Sequence, residues 1–362
     1  MIGSRAAHQW TSHPIPMVRA IAFYLPQFHP IPENDLWWGA GFTEWTNTAS
    51  ATPLFPGHYQ PHIPADLGFY DLRLPESRAA QAALAQKFGI EGFCYYHYWF
   101  GGGRRLLERP FDEVLASGEP DFPFCLCWAN ETWAGHWHGA PDRILVEQSY
   151  PGEADYLAHF AWLLHAFQDR RYITVDGRPL FLIFNVAGLP DAPGLCRLWR
   201  RLADEAGLPG LCLLAVRHQV DRRDPHAAGF DGAVDMRLPL LVTNYIEVVQ
   251  EIHVLDHRRL ADFEVASPQA GVSHYPCVGP GWDNTPRLGR RGLVYVNSSP
   301  ELFRATVSRA VAQLAGRPPD HQLLFLKAWN EWAEGNHLEP DLRYGHAWLE
   351  ALQSGTGGRR SA

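Results

Sequence analysis

The sequence predicts one (β/α)8 barrel, the α/β architecture in which eight parallel strands close on themselves. Three observations carry that expectation. Short apolar runs recur along the chain with helical patterns between them. The runs are continuous rather than alternating, as expected of strands buried on both faces of a parallel sheet. Aromatic and polar residues gather just after the runs, where a barrel keeps its functional loops.

The runs are VRAIAFYL (18–25), IEGFCYYHYW (90–99), FPFCLCWA (122–129), PLFLIF (179–184), LCLLAV (211–216), FDGAVD (230–235), SHYPCVG (273–279) and QLLFLKAW (322–329). Between the sixth and seventh lies a long stretch, 236–272, with no clear period. PESRAAQAALAQKFG (75–89) has Pro75 where a first helical turn tolerates it and Gly89 as a stop. EADYLAHFAWLLHAFQDRR (153–171) is expected to place Leu157, Phe160, Leu164 and Phe167 on one face. LCRLWRRLADEAG (195–207) and ELFRATVSRAVAQLAG (301–316) also end at Gly. An open doubly wound sheet is the alternative, but no G-x-G-x-x-G follows the first run. Residues 1–17 read as an N-terminal extension, 18–352 as the long-looped catalytic barrel, and 353–362 as a flexible tail.

Composition narrows the function. A chain of 362 residues can bury a core without staples. Lys+Arg 31 against Asp+Glu 39, with no basic block, argues against a nucleic-acid partner. Hydrophobic residues at 46% with 19% charged exclude global disorder. No run approaches about 18 apolar residues, so no membrane span is expected. The start, MIGSRAAHQWTSHPIPM, lacks an apolar signal core, and six scattered cysteines suit reduced thiols; the chain is expected to be cytoplasmic.

The aromatic placement opens the functional reading. Of 14 Trp, only Trp10, Trp162, Trp199 and Trp348 lie away from run ends and loops. Trp37, Trp38, Trp45, Trp99, Trp128, Trp133, Trp137, Trp282, Trp329 and Trp332 fall at those places. Loop packing would explain any single one. The collection suggests indole faces stacked on sugar C–H faces, with Trp38, Trp45, Trp99, Trp128, Trp282 and Trp332 converging on one cleft.

The sharpest constellation follows the last run, in LKAWNEWAEGNHLEPD (326–341). Glu331 and Glu334 are three apart, and on a helical turn their carboxylates would share a side. Two close carboxylates repel, so one pKa rises while the other stays low, the division that acid/base work on a glycosidic bond requires. The bland alternative is a solvated loop or a helix cap. Glu44 beside Trp45, Asn130 with Glu131, and Asp283 with Asn284 are further polar pairs at run ends, suited to a hydroxyl-rich ligand or to plain Asx turns. Gly101–Gly103 before Arg104 and Arg105 form either a turn or an anion site. His136-x-His138 has the spacing of a zinc pair and Cys125-x-Cys127 that of a thiol site, but the expectation is no metal and no cofactor.

FYLPQFHPIPENDLWWGAGFTEW (23–45), DLGFYDLR (66–73), GFCYYHYWF (92–100), PDFPFCLCWANETW (120–133), PGWDNT (280–285) and AWNEWAEGNHLEPD (328–341) together resemble the WbsX-type, glycoside hydrolase family 99-like proteins of polysaccharide and O-antigen loci. The likeness runs from about Val18 to Leu352. It implies a (β/α)8 glycosidase related to endo-α-mannosidases, with Glu331 as base and Glu334 as general acid/base. It further implies retention through a 1,2-anhydro sugar formed by the substrate's own 2-hydroxyl. Glu334 should then carry the raised pKa. Tyr24, His29, Trp38, Glu44, Trp45, Tyr96, Trp99, Trp128, Asn130, Glu131, Trp282, Asp283, Asn284, Asn330 and Trp332 are the expected substrate-binding residues. Two loops depart from the group: His138 stands where an acidic residue is more usual, and FNVAGLP follows the fourth run in place of an Arg-containing segment.

A retaining, endo-acting hydrolase of a bacterial surface polysaccharide or its precursor is therefore the leading expectation. A glycosyltransferase or transglycosylase comes second; the chain has no Asp-x-Asp for a sugar-nucleotide cation. A non-catalytic glycan-binding barrel comes third.

Overall fold

The computed structural model describes residues 18–135, 140–218, 223–238, 246–249, 251–265, 271 and 273–358. Each apolar run holds one strand: β1 (Arg19–Tyr24), β2 (Ile90–His97), β3 (Phe124–Trp128), β4 (Arg178–Ile183), β5 (Cys212–Arg217), β6 (Gly232–Met236), β7 (His274–Val278) and β8 (Leu323–Leu326). Neighbours pair in parallel in chain order, and β8 pairs back with β1 to close an eight-stranded barrel. The fold is the predicted (β/α)8 barrel.

Ten helices among the described residues surround or cap it: α1 (Pro32–Trp38), α2 (Glu44–Ser50), α3 (Pro75–Lys87), α4 (Arg109–Ser117), α5 (Glu153–Phe167), α6 (Ala192–Glu205), α7 (His257–Glu264), α8 (Thr285–Leu288), α9 (Pro300–Leu314) and α10 (Ala347–Gly355). None is long and apolar enough to cross a membrane. α10 runs past Leu352 to Gly355, where any Cβ would stand 2.7 Å from Val307 of α9, so the glycine permits the close approach.

The inward face of α5 differs from the expectation. Leu157 is 41% exposed, whereas Asp155 and His159 are buried beside Phe160, Leu163, Ala166 and Phe167. The helix is rotated because Asp155 accepts the Trp99 indole N–H at 3.1 Å and His159 stacks on the Trp99 ring at 4.5 Å.

Strand alternation decides which side chains reach the mouth. Leu25, Tyr96, Tyr98, Ala129 and Lys327 line the central cavity, so Tyr24, His97, Trp99 and Trp128, one residue away, point toward the helices. The unpatterned stretch 236–272 contributes the antiparallel pair Glu247–Val249 and Ile252–Asp256, together with α7. Ile252–Asp256 pairs in parallel with Leu293–Val296. That small sheet anchors the loop after β7, through Tyr295 N–H to the Trp282 carbonyl at 2.7 Å and Leu293 N–H to Asn284 Oδ1 at 2.8 Å.

Candidate active site

The chain leaves β8 through Lys327 and forms a tight hairpin, Asn330–Glu331 against Asn336–His337, around the turn Trp332–Glu334. Its placement is fixed from several sides. Asn330 clamps the Leu25 backbone, accepting its N–H at 2.8 Å and donating to its carbonyl at 3.0 Å. Gly335 turns with φ +62, and a Cβ there would meet Asp283 Cβ at 2.8 Å. The Glu334 carbonyl accepts the Asp283 N–H at 2.7 Å. Asp283 is in turn held by His58 and Gln60 at 2.7 Å and by the Thr285 hydroxyl at 2.6 Å. Beneath the hairpin, buried Glu339 accepts from Trp332 Nε1 at 2.6 Å, Tyr70 at 2.8 Å and Gln81 at 2.7 Å.

The two glutamates this hairpin presents are both buried and both paired with cations. Arg287, on α8, donates to Glu334 at 2.6 Å, to Glu331 at 3.2 Å and to Glu44 at 2.8 Å. Lys327 Nζ lies 3.0 Å from Glu334 and 3.5 Å from Glu331. The shorter contacts go to Glu334. Burial pushes Glu331 upward and adjacent Glu334 adds to it, so its carboxyl sits above the usual range. Burial acts likewise on Glu334, but Lys327 and Arg287 outweigh it and hold that carboxyl below its ordinary value. This ordering is the reverse of the sequence expectation. The cause is the cation pair, which neither carboxylate spacing nor resemblance revealed. Burial disfavours the charge of Arg287 and of Lys327, yet the surrounding carboxylates outweigh it and keep both above their ordinary values.

These groups open into a cavity of about 430 Å³ at the barrel mouth. Trp37, Trp38, Trp133, Trp282, Tyr96, Tyr98 and Phe184 wall it, and Glu44, Glu131, Asn34 and Gln27 add polar groups. Buried Asn34 has neither a donor to its Oδ1 nor an acceptor for its Nδ2 among the described residues. Of the predicted residues, Trp38, Glu44, Tyr96, Glu131, Trp282, Glu331 and Glu334 line this cavity together.

The others take supporting positions. Tyr24 donates to Gln81 of α3 at 2.7 Å. His29 bonds the Pro26 carbonyl through Nδ1 at 2.9 Å, and burial lowers its pKa to about 4. Trp45 packs on Phe28, Tyr70 and Trp332. Trp99 and Trp128 meet His159 of α5 in the helix layer, and the Trp128 indole donates to the Trp99 carbonyl at 2.9 Å. Asn130 bridges to the Asn185 backbone, receiving its N–H at 2.7 Å and donating to its carbonyl at 2.8 Å. Asp283 and Asn284 hold the loop after β7, Asn330 clamps Leu25, and Trp332 rests on Glu339. The six-tryptophan cleft is thus not what forms: Trp45, Trp99, Trp128 and Trp332 pack inside, while Trp37 and Trp133 join Trp38 and Trp282 at the cavity. Gly101–Gly103 make a turn, and Arg105 pairs with Asp112 at 2.5 Å. Cys125 and Cys127 are buried free thiols. His136, Trp137 and His138 lie outside the described residues.

Arg287 and Lys327 escaped the sequence reading. Lys327 carried a signal, being the polar residue that ends LLFL at a strand's C-terminal end. Arg287 carried none beyond following the WDN segment.

Fold and site together define a (β/α)8 protein with a cation-braced carboxylate pair at the mouth of its barrel. A family model described as Glycosyltransferase WbsX matches residues 20–352, and the chain belongs to that family. The protein WxcX of Xanthomonas campestris pv. campestris is 44% identical over 341 residues, covering 92% of this chain and 49% of WxcX. This chain therefore spans about half the length of the curated relatives it matches. Among solved structures, one described as a glycoside hydrolase-like protein superposes with TM-score 0.59 at 15% identity, covering 98% of this chain and 97% of the other. The GH99 endo-alpha-mannosidase from Bacteroides thetaiotaomicron gives TM-score 0.56 at 13% identity, covering 94% and 96%. These two likenesses concern the fold.

Proposed function

We propose that the protein is a glycoside hydrolase acting on a bacterial surface polysaccharide or its precursor, with Glu331 and Glu334 as the acid/base pair. The observation that carries this reading is the pair itself: two buried carboxylates with oppositely displaced pKa values, facing an aromatic-walled cavity. The aromatic walls suit sugar C–H faces, and the unpartnered amide of Asn34 suits a sugar hydroxyl. The finer reading is retention with 2-hydroxyl participation, as the resemblance implies.

The charge order bears on the roles. As pH falls, Glu331 takes a proton before Glu334. The resemblance gives leaving-group protonation to Glu334, which would require a proton to pass between the carboxylates before reaction. The opposite division requires none. We therefore assign protonation of the leaving oxygen to Glu331 and deprotonation of the 2-hydroxyl to Glu334.

The family description favours a second reading, glycosyl transfer. Charge separates two versions of it. Glu44, Glu131, Glu331 and Glu334 line the cavity, and its cations Arg287 and Lys327 are engaged with three of them. A nucleotide-sugar diphosphate would add negative charge to that set, whereas transglycosylation from a neutral glycan would not. The test is incubation with α-linked oligosaccharides and an activated glycosyl fluoride, with anomeric configuration followed by NMR. Hydrolysis or transfer with retention is expected, lost on the oligosaccharides in both Glu331→Gln and Glu334→Gln and on the fluoride in Glu334→Gln. Turnover only with a nucleotide-sugar donor would overturn the reading.

A further inference from the structure

Behind the hairpin, three ligand-type atoms converge from distant parts of the chain. His337 stands on the hairpin's return strand, Asp341 follows four residues later, and His62 lies in the loop between α2 and α3. His62 Nδ1 is 2.8 Å from His337 Nε2, and Asp341 Oδ2 is 3.8 Å from the same nitrogen. All three atoms lie within 4.8 Å of one another. They border a second cavity of about 70 Å³, which shares Trp282 with the larger one.

The hydrogen inventory shows what this cluster lacks. His337 Nδ1 lies 2.9 Å from the Glu339 carbonyl, which can only accept, so Nδ1 carries the hydrogen and Nε2 presents a lone pair. Asp341 Oδ1 accepts the backbone N–H groups of Arg343 and Tyr344 at 2.8 and 2.6 Å. Asp341 is 1% exposed, and its Oδ2 is buried without a hydrogen-bond partner among the described residues. A carboxylate oxygen and an imidazole lone pair thus face each other, with only the hydrogens of His62 Nδ1 and of the Tyr59 hydroxyl near enough to share. A buried carboxylate oxygen left in that state is costly.

We propose that His62, His337 and Asp341 bind a divalent transition-metal ion, zinc by ligand preference, that pins the loop after α2 to the hairpin bearing Glu331 and Glu334. Two imidazole nitrogens and one carboxylate oxygen suit Zn²⁺ rather than the all-oxygen shells of Ca²⁺ or Mg²⁺. Tetrahedral Zn²⁺ with bonds near 2.0–2.1 Å places its ligands about 3.3 Å apart. The observed 2.8 and 3.8 Å straddle that value and the third separation is no more than 4.8 Å, so modest side-chain shifts would close the shell. The Tyr59 hydroxyl, beside Asp341, or a water would take the fourth position. None of the three ligands lines the large cavity, so the ion is a brace and not a reactant.

The test uses the full chain without a metal-affinity tag, stripped with a chelator and reconstituted with ZnCl₂ or CoCl₂. Elemental analysis should find close to one ion per chain, Co²⁺ should show four-coordinate ligand-field absorption, and the metal should raise the melting temperature. Asp341→Asn keeps Oδ1 for both backbone N–H groups, and His62→Phe keeps the ring stacked on Tyr59 at 4.3 Å. Each should weaken metal binding by about 10- to 100-fold with unchanged far-UV circular dichroism. Only trace metal on the reconstituted wild type, or full stoichiometry retained in both variants, would overturn the proposal. Should a variant fail to fold, wild-type stoichiometry and the Co²⁺ spectrum decide the matter alone.

Discussion

Replacing Arg287 by Met removes the charge that ties three carboxylates together while keeping much of the apolar stem. The guanidinium reaches Glu334 at 2.6 Å, Glu44 at 2.8 Å and Glu331 at 3.2 Å, from a side chain 11% exposed. Breaking one buried ion pair by removing a single partner costs about 3–5 kcal/mol. Lys327 still neutralises part of the set, so the expected loss at pH 7 is about 4 kcal/mol. The pH dependence is more diagnostic than the size. In the wild type, Glu334 has a depressed folded-state pKa, so its contribution is present above the unfolded value and disappears as pH falls. In the variant, Glu331 and Glu334 face each other with only Lys327, and their folded-state values rise above the unfolded ones. Such groups bind protons more tightly in the folded state, so the variant gains relative stability as pH falls. Urea denaturation from pH 7 to about pH 4.5 should therefore show the stability gap between the two proteins narrowing. A gap below about 1 kcal/mol at pH 7, or one constant over that range, would refute the claim that Arg287 is the electrostatic keystone of the site.

Glu331→Gln should lower turnover of natural glycosides by about 10²- to 10⁴-fold but cost far less with a fluoride or dinitrophenyl leaving group. Glu334→Gln should impair both substrate types; the reverse pattern would restore the division implied by the resemblance. Trp282→Ala, at the cavity, should weaken oligosaccharide binding by about 1–3 kcal/mol, measured calorimetrically. Trp128→Ala, in the helix layer, should instead cost about 3–5 kcal/mol of stability. Equal binding losses in the two would contradict the placement of Trp128. Gly335→Ala should lower stability by about 1–2 kcal/mol for the left-handed backbone alone. It should also reduce kcat by about 100-fold, because the clash with Asp283 displaces the carboxylates. An unaffected kcat would show that the hairpin tolerates the shift.

The barrel was legible because its strands are continuous apolar runs long enough to stand apart from amphipathic helices. The pair Glu247–Val249 and Ile252–Asp256 was not, since three- and five-residue strands on a small side sheet leave no period to read. Glu331 and Glu334 were legible from position alone. The other tryptophans were not, because Trp after a strand suits loop packing and sugar stacking equally well. Part of the answer was nonetheless available. In CYYHYWF, Tyr96 and Tyr98 share one strand face and His97 and Trp99 the other, so both sets could not reach one cleft. The same rule separates Ala129 from Trp128 and Leu25 from Tyr24. Arg287 was invisible for a different reason: its partners stand on the hairpin and on α2, 44 and 243 residues away, and only closure of the barrel brings them together.

Several residues singled out for substrate contact hold the glutamate-bearing hairpin instead, and this gives the N-E-W-x-E-G segment a physical reading. Asn330 fixes where the chain leaves the barrel, by a two-bond clamp on Leu25. Trp332 points inward and anchors the turn on Glu339, whose other donors come from the loop before α3 and from α3 itself. Gly335 supplies the backbone conformation that brings the Glu334 carbonyl onto Asp283. Glu331 and Glu334 are left as the members that face the cavity, each meeting the same two cations at different distances. A site that must direct charge at one bond needs its carboxylates fixed before substrate arrives, since reorienting them during reaction would add to the barrier. The buried amides, indoles and carboxylates around the hairpin provide that rigidity. Replacing Asn330 or Trp332 should therefore lower kcat more than it raises KM, the signature of a group that acts through another.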